Sequence, residues 1–370
     1  MKKVAILVNE FDPAQGGVGN QAYYLAKYLC GVCDNVSVLT FYQTESDFAF
    51  DEKQPFKIYR RKKYNRNLFH TIVLLNYVLR TLKEERTDTI IISNYFYLWL
   101  LPVIRLFYRK ANYATIIHGS ELRHTNLILR SLTYLGLAYS KQIIAVSEFT
   151  RNILKGSIFY KRTKVCHIGI PDELITSTGR SYCMQPIKLA TIGAFTKKKG
   201  YINVLKILPE FINKYPDGAY KVCGVSNVLD FYNAVNKYST IILLKSRIES
   251  SPSFTNTNLD HISAFFNDVG IYIALAEQTK RGDVEGYGIA LLEANVCGIP
   301  VIATDNFGFR ETVKNKFSGI LVNPHNKTEI ICAIDEIISN YPTYSANARE
   351  WAFEHRWSKL YKSYYEVISH

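Results

Sequence analysis

Short apolar runs recur along the chain, each followed by a glycine-rich or polar turn and then a longer amphipathic stretch. The first is VAILVNE, with the turn and helical stretch GGVGNQAYYLAKYLC behind it. NVSVLTFY, TIIIS, YATIIHG and QIIAVS continue the series. These runs lack the apolar–polar alternation of half-exposed strands, so they fit parallel strands covered on both faces. After residue 180 the series restarts with IKLATIGAF, the helical stretch KKKGYINVLKILPEFINKY, then AYKVCG, STIILLK, VGIYIALA and GIPVIAT. Two such series predict an α/β protein of two Rossmann-like domains facing each other across a cleft, with ligands at strand C-termini and helix N-termini. The polar, aperiodic segment 171–185 reads as the linker, which sets the domains at 1–178 and 179–350 and leaves 351–370 as a terminal segment.

Composition supports this division. A chain of 370 residues exceeds what one core usually serves, and 48% hydrophobic with 21% charged residues is ordinary for a soluble enzyme. MKKVAILVNEFDP turns polar at Asn9, too soon for a signal peptide. The most hydrophobic stretch, TIIISNYFYLWLLPVI, is interrupted by Ser93, Asn94 and Pro102 and is too short to span a membrane. A cytoplasmic location is therefore expected. Seven scattered cysteines fit reduced thiols. Cys30 and Cys33 form a CGVC, but Gly31 reads as a helix C-cap, and a helix C-terminus disfavours the thiolate that redox chemistry needs.

Charge changes the picture more. The formal net charge is +13, of which about +11 falls before residue 181. The local peak KIYRRKKYNRN, residues 57–67, precedes the amphipathic LFHTIVLLNYVLRTLKEER. Basic residues beside an apolar helix suit an anionic membrane surface, with nucleic acid or a plain solvated face as the alternatives.

Four segments carry candidate chemistry. Gly16, Gly17 and Gly19 follow the first strand and precede a helix, where missing Cβ atoms let phosphate oxygens approach backbone N–H groups; the spacing is not GxGxxG. His118 ends the strand YATIIHG and is expected to point into the cleft. Lys197, Lys198, Lys199 and Gly200 lie between a strand and a helix, where cations suit a diphosphate. Finally, GDVEGYGIALLEANVCGIPVIATD places Glu285 in a loop and Glu293 in the following helix. Buried carboxylates need partners, and vicinal hydroxyls are good ones. A helix start between two carboxylates fits a nucleotide sugar.

That last segment resembles the E-x7-E signature of retaining glycosyltransferase family 4, the glycosyl transferases group 1, of the GT-B fold. The resemblance continues through GGVGNQAYYLAKYL, IIHGSEL, AVSEFTRNIL, IGAFTKKKG, ETVKNKFSGILVNP and HRWSKLYKSYYEVI, in the family's order. It implies that Glu285 contacts the donor sugar near the reacting centre and that Glu293 holds the ribose. Gly286, Tyr287 and Gly288 would hold sugar and phosphate through their backbone. Lys199 would meet the diphosphate, Gly16 and Gly17 would face it, and His118 would sit against the donor sugar as a catalytic residue. The terminal Trp-containing helix would cross back to the first domain. The chain departs from the family at Ala194, where arginine is usual, and at Phe307, where glycine is usual.

The resemblance implies a hexosyltransferase that uses a nucleoside diphosphate sugar as substrate, with no metal and no other cofactor. The acceptor is expected to be lipid-linked or a saccharide, in bacterial surface polysaccharide or lipopolysaccharide synthesis. The enzyme is then expected peripherally on the inner face of the cell membrane, without a nucleic-acid partner. The alternatives are an inactive donor-binding homologue and another GT-B enzyme such as a sugar-nucleotide epimerase.

Overall fold

The computed structural model describes the chain except residues 1, 14–15, 43–45, 63–67, 177–186, 225–232, 237–247, 252–258, 280–281 and 370. It divides into two compact units, Met1–Gly169 with Trp357–His370, and Ile170–Phe254 with Asn258–Arg356.

Among its described residues the first unit has seven parallel strands: β1 (Lys3–Leu7), β2 (Asn35–Tyr42), β3 (Lys57–Lys62), β4 (Thr89–Ile92), β5 (Asn112–Ile117), β6 (Gln142–Ala145) and β7 (Thr163–Val165). Their order is β3-β2-β1-β4-β5-β6-β7. Leu7 of β1 pairs with Leu39 on one side and Ile92 on the other, so the strand order reverses at β1/β4. All four residues of β4 are buried, as an unbroken apolar run requires in a doubly covered sheet. Leu7, Ile92, Tyr97, Leu101, Ile117 and Ile143 centre the core on one face.

The terminal helix Trp357–Ser369 belongs to this unit. Trp357 is fully buried and stacks on Tyr24 and Tyr28 of the helix Gly17–Leu29, with centroids 6.4 and 6.3 Å away. The Tyr364 hydroxyl donates to the Cys166 carbonyl at 2.8 Å. A Cβ on Gly169 would lie 2.8 Å from the Trp357 Cα, so only glycine lets the chain pass there.

The second unit has six parallel strands among its described residues: β8 (Lys188–Ile192), β9 (Ala219–Cys223), β10 (Ile248–Ser251), β11 (Ile271–Ala274), β12 (Val301–Thr304) and β13 (Gly319–Val322). The order is β10-β9-β8-β11-β12-β13, with the reversal at β8/β11. Tyr201, Leu208, Phe211, Tyr220, Ile273, Ile302 and Ile334 form its core.

Several local expectations shift. The expected strand STIILLK lies outside the described residues, whereas Ile248–Ser251, with two serines and a glutamate, is a strand at the sheet edge. The units divide at residue 169/170 rather than 178/179, because Ile170 N donates to His355 O at 2.9 Å and ties that segment to the second unit. Residues 177–185 of the expected linker lie outside the description, and Asp172–Thr176 is helical. The helix Tyr341–Glu354 stays with the second unit, so the return begins at Trp357 rather than 351.

Gly31 is not the C-cap. Cys30 holds that position in right-handed geometry (φ −58°), so no left-handed residue is needed. Burial pushes the Cys30 thiol up to about 11, with Cys33 adding to it, and burial also raises Cys33.

The basic segment 57–67 is only partly a surface. Lys57–Lys62 is strand β3, and residues 63–67 are outside the description. The Arg60 side chain is 2% exposed and pairs with Asp51 at 2.8 Å and Asp47 at 3.6 Å. A guanidinium in a sheet is buried only when paired, and here two carboxylates do it. Among the described residues no helix is long and apolar enough to cross a membrane.

Candidate active site

In open parallel sheets ligands gather at the C-terminal strand ends where strand order reverses. In the second unit that place is occupied by the loops after β8 and β11. Gly193 follows β8 with φ 122°, and its carbonyl accepts from the Tyr201 hydroxyl at 2.6 Å. A Cβ at Gly193 would lie 2.9 Å from Cε of Lys199, so the missing side chain makes room for the lysine. Gly200 (φ 78°) then opens the helix Tyr201–Lys214, and a Cβ there would meet the Leu275 backbone at 2.1 Å. The two loops therefore touch, and glycine is what permits it.

Their contact brings Lys199 to Glu285, Nζ to Oε2 at 2.9 Å, with side-chain exposures of 27% and 12%. The contact is an ion pair rather than an aligned hydrogen bond, because that oxygen forms none in good geometry. Burial raises the Glu285 carboxyl, and Lys199 followed by Lys198 outweigh it, leaving the group below its ordinary value. Burial lowers the Lys199 amine, and Glu285 outweighs that, leaving it above its ordinary value. Each group keeps the other charged.

Glu293 differs. It lies in the helix Ile289–Val296, is 6% exposed, and hydrogen-bonds no described side chain. Burial pushes its carboxyl up to about 7 against the pull of Lys199. A buried carboxyl without a hydrogen-bond partner is costly in the unliganded protein and is available to a donor-rich ligand. Gly288 (φ 88°) caps the helix start and its carbonyl accepts from Leu291 N–H at 3.0 Å, while the N–H groups of Ile289 and Ala290 precede the first intrahelical acceptor. Gly286 and Gly308 are in close approach: a Cβ on Gly308 would sit 2.1 Å from Gly286 O. The Tyr287 ring is 3% exposed, so that residue offers its backbone rather than its phenol. Tyr272, at the start of β11, was not legible as a site residue. Burial pushes its phenol up to about 12, and Lys199, Glu293 and Glu285 all act on it.

The first unit has its own cluster at the β1/β4 reversal. Gly16 caps and Gly17 opens the helix Gly17–Leu29. A Cβ on Gly16 would lie 2.8 Å from Oε2 of Glu10, an acidic neighbour that the glycine pattern did not reveal. His118 follows β5. Its N–H donates to Glu121 Oε1 at 2.5 Å, and its Nε2 lies 3.3 Å from Ser93 Oγ at the end of β4. Nearby, Asp12 is fully buried with neither carboxylate oxygen hydrogen-bonded; burial raises it to about 7, opposed by Arg60.

Residues 184–352 match the family model of glycosyl transferases group 1, and residues 15–174 that of glycosyltransferase family 4. The chain is a GT-B glycosyltransferase. An uncharacterized glycosyltransferase of Haemophilus influenzae is 24% identical over 93% of this chain and 92% of its own. Among solved structures, Anabaena HepE in complex with UDP-glucose superposes on this transferase with TM-score 0.77 at 17% identity, covering 100% of both chains. The lipopolysaccharide outer core galactosyltransferase WaaB superposes with TM-score 0.73 at 14% identity, covering 99% of both chains. These superpositions establish the two-domain parallel-sheet fold of the enzyme.

Proposed function

We propose that this glycosyltransferase moves a sugar from a nucleoside diphosphate sugar to a lipid-linked or saccharide acceptor, with retention at the anomeric carbon and without a metal. The observation that carries the reading is the Lys199–Glu285 ion pair at the glycine-rich start of a helix whose fifth residue is Glu293, buried and hydrogen-bonded to no described residue. Ribose hydroxyls supply the donors that Glu293 lacks. Donor-sugar hydroxyls compete for Glu285, which frees Lys199 to meet the diphosphate. As the diphosphate departs, Lys199 and the helix N–H groups stabilise its growing charge. The E-x7-E resemblance supports retention, and HepE, of the same fold, is known with UDP-glucose bound.

The acceptor side rests on the first unit. Phe69 and Ile72 open one helix and Leu127 and Ile128 another, each at the C-terminal edge of the sheet, and they are 70%, 49%, 65% and 71% exposed. Exposed apolar side chains in a strongly basic half suit the surface of an anionic leaflet and a lipid-borne acceptor. WaaB, a relative in fold, acts in lipopolysaccharide core synthesis by its name.

The test is a thermal-shift screen against nucleotide sugars with and without EDTA, followed by NMR of the anomeric centre in the product. Selective stabilisation by one donor, unaffected by chelation, and a product of the donor's anomeric configuration are expected. Stabilisation abolished by EDTA, or an inverted product, would overturn the corresponding part of the proposal.

A further inference from the structure

Strands β8 and β11 part before they end. Ile271 pairs with Leu189 and Tyr272 with Ala190, and the pairing stops there, although β8 continues to Ile192 and β11 to Ala274. The Tyr272 side chain bridges the parting. It is buried against the Phe266 ring, with centroids 6.0 Å apart. Its hydroxyl oxygen accepts from the Ile192 N–H at 3.4 Å, beyond its own partner in the register and toward the C-terminal end of the sheet. The next residue is Gly193, where an added Cβ would meet Cε of Lys199 at 2.9 Å. Phenol and lysine stem therefore meet the same turn. The rest of that turn is tied as well: Gly193 N donates to Cys223 O at 2.9 Å, and Gly193 O accepts from the Tyr201 hydroxyl at 2.6 Å.

A phenol oxygen has two lone pairs and one proton. One lone pair of Tyr272 takes the Ile192 N–H, and no described residue is bonded to the other. The Lys199 ammonium, with three donors, is the group able to use it. The electrostatics agree with the contacts: burial acts most strongly on the Lys199 amine, then Glu285, then Tyr272, ahead of Glu293. Burial pushes the Tyr272 phenol up to about 12, so it is neutral at neutral pH. Neutrality separates its use from that of Glu285. The carboxylate holds the ammonium by offsetting its charge, and in the proposed reaction it turns to sugar hydroxyls. A neutral oxygen orients a cation and leaves the whole charge for a diphosphate.

We infer that Tyr272 is a positioning residue for Lys199: it fixes the Ile192–Gly193 turn on which the lysine stem packs, and it keeps the ammonium aimed at the diphosphate when Glu285 turns to the donor sugar. The inference rests on Lys199 meeting the diphosphate, as in the proposed function. Every group it invokes belongs to the second unit.

Two measurements separate this inference from the reading beneath it. The first needs no ligand: NMR relaxation of lysine side chains labelled at Cε. The Lys199 signal, identified by its absence in Lys199→Met, should be as rigid as a buried side chain in the wild type. It should become mobile in Tyr272→Phe, which keeps the ring and loses the oxygen. Tyr220→Phe is the control for stability, because it removes a buried hydroxyl bonded to the same strand, at Thr191 Oγ1 (2.9 Å), and should leave Lys199 rigid. A mobile Lys199 in the wild type, an unchanged signal in Tyr272→Phe, or equal loosening in Tyr220→Phe overturns the inference. The second is calorimetric binding of UDP, GDP, ADP, CDP and dTDP beside the matching nucleosides. For the diphosphate that binds, Tyr272→Phe should weaken affinity about fivefold to tenfold, as loss of one hydrogen bond does, and weaken the nucleoside less than about twofold. In a Lys199→Met background, Tyr272→Phe should cost less than about twofold more, because the two residues act together. Full additivity, or equal loss for nucleoside and diphosphate, overturns the positioning role. Wild-type diphosphate affinity in Lys199→Met instead overturns the reading of Lys199 at the diphosphate, whatever its mobility.

Discussion

Lys199 and Glu285 form an ion pair at 2.9 Å between the loops that follow two adjacent parallel strands. Neither loop could place its charge there alone. Glycines at 193 and 200 let the first loop pack on the lysine stem and on the Leu275 backbone. Each charge is held by the other, and Glu293, close enough to feel the Lys199 charge, hydrogen-bonds no described residue.

Replacing Glu285 tests the pair directly. Glu285→Ala should lower kcat/KM by about a hundredfold or more, as loss of a group acting at the reacting centre does. Breaking a fully buried pair costs several kcal/mol, but Lys199 is 27% exposed and water can reach it, so about 1–2 kcal/mol of stability should be lost. Near-wild-type turnover with an intact melting transition would falsify the site assignment.

The pH dependence belongs to Glu293. Its folded-state carboxyl is raised from an ordinary value of 4.5 to about 7, so between these values the folded protein binds the extra proton. Stability should therefore fall as pH rises from about 4.5 to about 7, by at most about 3 kcal/mol. Glu293→Gln should remove this slope and leave the ligand-free enzyme more stable at pH 8. Donor affinity should rise through the same window in the wild type, because the carboxylate is the better acceptor for ribose hydroxyls. Denaturant titrations and calorimetry across pH would measure both.

The glycines divide by what they touch. At Gly200 an added Cβ would meet backbone at 2.1 Å, so Gly200→Ala should cost more than about 3 kcal/mol. At Gly193 the obstacle is the Lys199 side chain at 2.9 Å, which can move. Gly193→Ala should cost only about 1–2 kcal/mol, mainly through its φ of 122°, yet weaken nucleoside diphosphate binding by displacing the lysine. Equal binding in wild type and Gly193→Ala would detach Lys199 from the diphosphate.

For the membrane, combined Phe69→Ser, Leu127→Ser and Ile128→Ser should reduce sedimentation with anionic vesicles while leaving donor-induced stabilisation intact. These residues are 65% to 71% exposed, so the fold should tolerate the changes. Unchanged sedimentation would remove this surface from the acceptor model.

What was legible in the sequence was local. Apolar runs, glycine turns and amphipathic stretches announced most of the strands and helices, and the spacing of Glu285 and Glu293 placed one on a loop and one on a helix. Such signals span a few residues, within reach of a turn or a helical repeat. The tertiary structure decided what these residues meet. Parallel strand order is set by crossovers, and periodicity does not encode it, so only the adjacency of β8 and β11 gave Lys199 to Glu285. The same holds for Arg60, which the charge run offered to solvent and the sheet turned inward onto Asp47 and Asp51. It holds for Ser93 and Gln21, 72 residues apart, which carry no motif and meet only because β4 ends beside the first helix. Burial then gave these groups their chemistry, since the same carboxyl that is unremarkable in water must find a donor or take up a proton once water is gone.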